Sequence, residues 1–190
     1  MSEERKSHRL TVRELRLSDI QLVCDYWMKS TDEHLINMGV ALSEMPTEKE
    51  LEEMLKQQLA LPINQRKTYA LIWCENEIPV GHSNVNKIKY GQEAFMHLHL
   101  WGNASRSKGL GSKFVLKSLP LYFNNLKLDN LYCEPFAENE APSRTLKKIG
   151  FVFEKKYRTI PGILNHEQEV NLWRMSKVEF QEIQKQIDLI

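Results

Sequence analysis

The sequence contains no apolar run approaching the ~20 residues that a membrane-spanning helix needs, so no membrane function is expected of it. Cysteine is scarce: Cys24, Cys74 and Cys133 lie far apart, with no CxxC spacing. That argues against a zinc framework or a disulfide scaffold and fits reduced thiols in a cytosolic protein. Charge of one sign is lacking too. A formal net charge of +1 over 190 residues provides no bulk field to draw nucleic acid or anionic lipid. The basic clusters Lys147-Lys148 and Lys155-Lys156-Tyr157-Arg158 are interspersed with acids, so nucleic acid is not an expected partner. The first eight residues are polar and lack the apolar core of a secretory leader; the expected location is cytoplasmic. No repeat, linker or low-complexity run is present. A single domain over 1–190 is expected, with 1–8 as a flexible arm and 177–190 as a terminal helix.

What is present is a succession of strand and helix patterns. Residues 10–15 alternate as a first strand. Ser18-Asp-Ile-Gln21 has the form of a capping box and opens a helix to about Lys29, while 30–45 reads as irregular. Thr47 and Glu50 form a second capping box, starting a helix that ends near Pro62. Strands are expected over 69–74, 78–88 and 94–101. The last puts Phe95, His97, His99 and Trp101 on one face and Met96, Leu98 and Leu100 on the other. A helix over 109–125 contains Pro120, expected to kink it. A strand at 131–134 and a helix at 142–149, closed by Gly150, follow. A hairpin of 151–160 with 167–175 turns at Pro161-Gly162, and Ser176 with Glu179 caps a last helix. The order β-α-α-β-β-β-α-β-α-β-β-α implies an α/β (α+β) fold, a mixed sheet with helices on both faces.

The stretch Arg106-Ser-Lys-Gly109-Leu-Gly111-Ser112 lies between an apolar strand and an apolar helix. A helix N-terminus presents unpaired N–H groups and partial positive charge. Glycines there let a diphosphate approach the backbone, and Arg106 and Lys108 add neutralising charge. An ordinary surface turn is the competing reading. A dinucleotide fingerprint is excluded because Phe114 stands where its third glycine belongs. A P-loop is excluded because no Gly-Lys-Ser/Thr follows.

Arg106-x-x-Gly109-x-Gly111 after a strand resembles the acetyl-CoA motif of the GNAT superfamily of N-acetyltransferases, which reads Gln/Arg-x-x-Gly-x-Gly/Ala. Downstream, Asn139, a short helix and Gly150-Phe151 repeat a second pattern of that family. Ala141-Pro142 ahead of the helix and a hairpin after Gly150-Phe151 are similar to the branch containing the ribosomal-protein N-acetyltransferases. The resemblance covers about residues 8–176, with sharp motifs only at 94–151.

The resemblance implies a GNAT-like, mostly antiparallel sheet whose strands at 94–101 and 130–134 splay apart. It implies acetyl-CoA as acetyl donor and no metal. The pantetheine arm would lie against backbone atoms of Leu98, Leu100 and Trp101. The pyrophosphate would meet the amides of Arg106, Ser107, Lys108, Gly109, Leu110, Gly111 and Ser112. Asn139 and Ser143 would contact the pantetheine or the thiol end. Acetyl would pass to a primary amine by direct attack in a ternary complex, with no covalent enzyme intermediate.

For the base, His99 comes first and His97 second, because histidine titrates near neutrality and both face the substrate side; buried sheet histidines are the alternative. Glu134 is a third candidate, and Ser143 is placed to meet the sulfur. Leu146 stands where many relatives carry a tyrosine acid, which keeps a non-catalytic acyl-CoA-binding module as the alternative function. The acceptor is a protein N-terminal amine if the site is a wide groove, or a small amine if it is a closed pocket. Asp32, Glu33 and Glu44 are candidates to attract a cationic amine. A homodimer through the terminal helix or an edge strand is compatible with either function.

Overall fold

The computed structural model describes residues 9–102 and 109–188. Alternating apolar stretches form β1 (Leu10–Glu14), β2 (Tyr69–Glu75), β3 (Ile78–Lys89), β4 (Glu93–Leu100), β5 (Asn130–Cys133), β6 (Val152–Thr159) and β7 (Gln168–Ser176). The helices are α1 (Ile20–Lys29), α2 (Asp32–Asn37), α3 (Glu48–Ala60), α4 (Leu110–Asn125), α5 (Glu140–Ile149) and α6 (Lys177–Asp188). The strands make one sheet in the order β1-β2-β3-β4-β5-β7-β6. Every pairing is antiparallel except β4 with β5. No helix among the described residues is long and apolar enough to cross a membrane.

Period-two alternation sorts the core into two layers. Leu71, Trp73 and Met96 point to the face covered by Phe114 and Leu119 of α4, Leu146 of α5 and Phe180 of α6. Ile72 and Cys74 point the other way, onto Val23 and Cys24 of α1 and Leu51 and Leu55 of α3. The buried Trp73 indole stacks on Phe114, and its Nε1–H donates to Ser118 Oγ at 2.9 Å, so the layer holds no unpaired indole N–H there.

Three expectations need correction. The region 30–45 is not irregular throughout: Thr31 accepts a hydrogen bond from the His34 N–H and caps α2, which buries Leu35. Ser18 and Gln21 do not cap α1. Asp19 instead accepts from the Arg16 N–H and pairs with Arg13, and Gln21 reaches Asp25 and Glu48. α5 begins at Glu140, ahead of Pro142, because proline is well tolerated in a first helical turn. Pro120 lies inside α4 without ending it, since Phe114, Leu119, Tyr122 and Phe123 bury that helix along its length.

The feature that positions the site is the end of the β4–β5 ladder. Pairing runs from Glu93–Asn130 to Met96–Cys133 and stops. At the last rung the Cys133 thiol donates to the Met96 carbonyl at 2.9 Å. Beyond it the chain after β5 is drawn toward β7: Phe136 bridges Val170, and Asn171 N–H donates to Pro135 O at 3.0 Å. β4 continues through His97, Leu98, His99 and Leu100 against β3 alone. The central strands are therefore splayed.

Candidate active site

Backbone directions along β4 alternate like its side chains. The Trp101 N–H donates to Val80 O on β3, whereas the Met96 carbonyl faces β5. Leu98 and Leu100 consequently turn their amides toward the side that β5 has left. Trp101 departs from expectation: its N–H is committed to Val80, and its indole Nε1–H donates to His82 Nδ1 at 2.8 Å on the opposite face.

Helix α4 is the next element after β4 in the chain. Gly109 is its N-cap with φ 66°, a left-handed conformation natural to glycine, and the first turn holds no acid. Among the described residues, a Cβ added at Gly109 or at Gly111 would meet nothing within 4 Å. Among the described residues nothing crowds those two glycines, which suits the approach of an anion. Leu110 places its side chain in the core and offers only its backbone. Ser112 Oγ donates to Gly109 O at 3.0 Å, fastening the first turn. Arg106, Ser107 and Lys108 lie outside the described residues. Asn139 is the N-cap of α5 but makes no capping bond with its side chain. Ser143 Oγ, one turn in, is buried without a hydrogen-bond partner.

On the other face of the sheet lies a cavity of about 290 Å³. Its floor is the β3–β4 ladder, where His82 sits opposite His99 and Asn84 opposite His97. Its walls come from α1, α3 and the β6–β7 loop. Hydrogen bonds tie that loop to the segment after α2, among them Ala41 N–H to Leu164 O at 2.8 Å and Asn165 Nδ2–H to Gly39 O at 2.7 Å.

The histidines of the floor form a connected group. His82 and His99 stack, with centroids 4.5 Å apart. Tyr26 of α1 reaches His99 Nδ1 at 3.4 Å and His34 Nε2 at 3.2 Å with the same hydroxyl. His34 is half-buried, so this chain of polar atoms leads from the floor toward the surface. His97 Nε2 and Asn86 Oδ1 are buried with no partner. The cavity leaves the rings of His97 and His99 some accessible surface, but protein encloses them. Burial depresses the imidazolium form: His82 is brought down to about 3 and His97 to about 4, the latter helped by Lys87. His99 falls well below the usual histidine value, through burial and then through His82, His97 and His34. All three are neutral imidazoles at neutral pH.

Glu134 does not stand ready as a base. Its carboxylate is buried, ion-paired with Lys87 Nζ at 3.0 Å and hydrogen-bonded by the Tyr157 hydroxyl. Burial pushes its pKa up against the opposing pull of Lys87. Asp32, Glu33 and Glu44 do not line the cavity either. Nor are all the basic clusters available: Lys156 pairs with Glu169 at 2.7 Å, and Arg158 with Glu167 at 3.5 Å. Among the described residues, no group of His, Cys, Asp or Glu is placed to hold a metal ion. Sequence reasoning missed Tyr26, Asn84 and Asn86. The asparagines carried a signal, since they alternate with Val85 along a strand whose polar face then has to meet something.

Comparison with known proteins agrees with this architecture. A family model described as an acetyltransferase (GNAT) domain matches residues 9–152. No curated protein matches the sequence. Among solved structures, spermidine N-acetyltransferase from Vibrio cholerae, in complex with CoA and spermine, superposes with a TM-score of 0.73 at 17% identity, covering 90% of this chain and 98% of that one. The ribosomal L7/L12 alpha-N-protein acetyltransferase RimL, in complex with coenzyme A, gives a TM-score of 0.73 at 11% identity, covering 92% and 97%. An uncharacterized protein from Bacillus halodurans gives 0.69 at 16% identity, covering 97% and 93%. These likenesses are of fold.

Proposed function

Because the chain belongs to the acetyltransferase (GNAT) family, we propose that it transfers the acetyl group of acetyl-CoA to an amine held in the histidine-floored cavity. The observation that carries this reading is the β4–β5 ladder stopping at Met96–Cys133. The stretch of β4 that β5 leaves carries His97 and His99, which line the cavity. CoA-bound neighbours of the same fold support the donor.

The residues present fit that donor. The amides of Gly109 to Ser112 would take the diphosphate, with nothing among the described residues to obstruct it at Gly109 and Gly111. The edge of β4 at Leu98 would bond the pantetheine amides. Ser143, whose buried hydroxyl lacks a partner, would meet the thiol end. Acetyl-CoA supplies an activated acyl group with a thiolate leaving group, and the chain's own groups do the rest. A backbone N–H on the open edge of β4 is a fixed dipole for charge developing on an acyl oxygen. Holding donor and amine in one ternary complex removes the entropy of their encounter.

His99 is the base in this reading. With Tyr26 donating to His34 Nε2, its hydroxyl accepts from His99 Nδ1–H, leaving the Nε2 lone pair of His99 to take the amine's proton. The proton then leaves through Tyr26 and His34. A positioned base of this kind contributes about 10²- to 10⁴-fold.

The test is release of free thiol from acetyl-CoA with a panel of amines, alongside calorimetric titration of CoA. Acetylation of any panel amine supports transfer. Binding of CoA without turnover of any amine converts the protein to an acyl-CoA-binding module.

A further inference from the structure

The cavity specifies more about its occupant than that it bears an amine. Among the described residues no carboxylate lines it, and Lys67, at the rim, is the one charged side chain in the lining. The walls are apolar: Trp27, Met38, Val40, Leu51, Leu55 and Ile163. Charge is thus absent from the walls and floor, and what cationic charge exists would repel an ammonium group.

The polar atoms are concentrated on the floor, and two lack partners. Asn86 donates through Nδ2 to Pro161 O at 3.4 Å, which fixes the amide so that Oδ1 is the atom left over. His97 Nε2 is the other. They are near neighbours: a Cβ added at Gly162 would lie 3.3 Å from Asn86 Nδ2 and 4.0 Å from His97 Cε1. A neutral primary amine keeps the lone pair that attack on the thioester needs. An ammonium group has no lone pair to attack with and finds no anion here.

The cavity is also narrowed on its outer side. The Ala41–Leu164 and Asn165–Gly39 hydrogen bonds join the β6–β7 loop to the chain after α2. Its volume of about 290 Å³ lies at the small end for ligand pockets. A pocket of that size suits a small molecule.

Resting on the acetyltransferase reading above, we propose that the acceptor is a small hydrophobic primary amine with a single amino group, bound in this cavity as the free base. Polyamines are disfavoured by the same features. An alkylamine with a pKa of about 10.4 is neutral in roughly one molecule per thousand at physiological pH. Each further ammonium drawn into an uncharged cavity multiplies that factor.

The experiment compares 2-phenylethylamine, hexylamine, spermidine and a short peptide with a free N-terminus at equal concentration, scoring acetylated product by mass spectrometry. The proposal expects kcat/KM for 2-phenylethylamine to exceed that for spermidine and for the peptide by at least tenfold. Equal or better use of spermidine or of the peptide overturns it while leaving acetyl transfer intact. If no amine is acetylated, the transfer reading fails instead. The cavity assignment is then decided by titrating the protein–CoA complex: 2-phenylethylamine binding more tightly than spermidine upholds it, and equal or weaker binding overturns it. Gln58→Glu adds a carboxylate to the lining while keeping an acceptor for the Lys67 and Thr68 N–H groups that Gln58 Oε1 now serves. This variant should shift the spermidine to 2-phenylethylamine ratio upward by about tenfold; an unmoved ratio counts against an occupant sensitive to the charge of the lining.

Discussion

His99 stands opposite His82 across the β3–β4 ladder, and the two imidazoles stack 4.5 Å apart between centroids. Neither can gain a proton without placing charge against its neighbour in a water-poor site. The pair therefore links the protonation of the cavity floor to the integrity of the fold.

That link has a measurable sign. His82 and His97 have folded-state values of about 3 and about 4, against about 6.5 in an unfolded chain. Below pH 6.5 the unfolded chain binds more protons, so stability is intact above that pH and declines as pH falls toward 4. The slope is about 1.4 kcal/mol per pH unit for each such histidine. Urea midpoints measured from about pH 7 to about pH 4.5 should fall, and His97→Asn should flatten the decline. A midpoint independent of pH over that range would contradict the burial assigned to these rings.

Tyr26→Phe keeps the aromatic packing against Trp27 and Trp101 but removes the hydroxyl between His99 and His34. Turnover number should fall about tenfold with KM little changed, and the remaining rate should rise more steeply with pH than in the unaltered protein. His99→Ala should lower kcat by about 10²- to 10³-fold, most of all at low pH. Unchanged rates in both variants would move the base elsewhere on the floor.

Gly111→Glu should leave the fold intact, because an added Cβ there meets open space and the position is helical. It should weaken CoA binding at least 100-fold by putting an anion where the diphosphate sits. Circular dichroism and calorimetric titration separate the two effects. Retained affinity would displace the diphosphate from α4.

Ser143→Ala removes a buried hydroxyl that has no partner in the free protein, so stability should change by no more than about 0.5 kcal/mol. Activity should drop about tenfold if the hydroxyl meets the sulfur. A parallel loss of thermal midpoint and activity would make Ser143 structural.

Much of this was legible in the chain because it followed from period and caps. The alternation around His97 and His99 put both rings on one face of β4, and Thr47 with Glu50 forms the capping box expected of them. Helix α2 escaped because one and a half turns are too few to establish a period. At the start of α1 the spacing of Ser18 and Gln21 was misleading, since Asp19 had a better partner in Arg13, which lies on another element. The Tyr26 hydroxyl link and the Asn86 orphan arise from packing between elements far apart in sequence, and no local pattern encodes those. Glu134 looked available in the same way, until β3 and β6 supplied Lys87 and Tyr157.

The sheet acts as a partition breached where β4 and β5 part. Donor and acceptor would approach that breach from opposite sides, neither barring the other's route. Steady-state rates varied in both reactants should then give intersecting rather than parallel reciprocal lines, and desulfo-CoA should compete with the donor without competing with the amine.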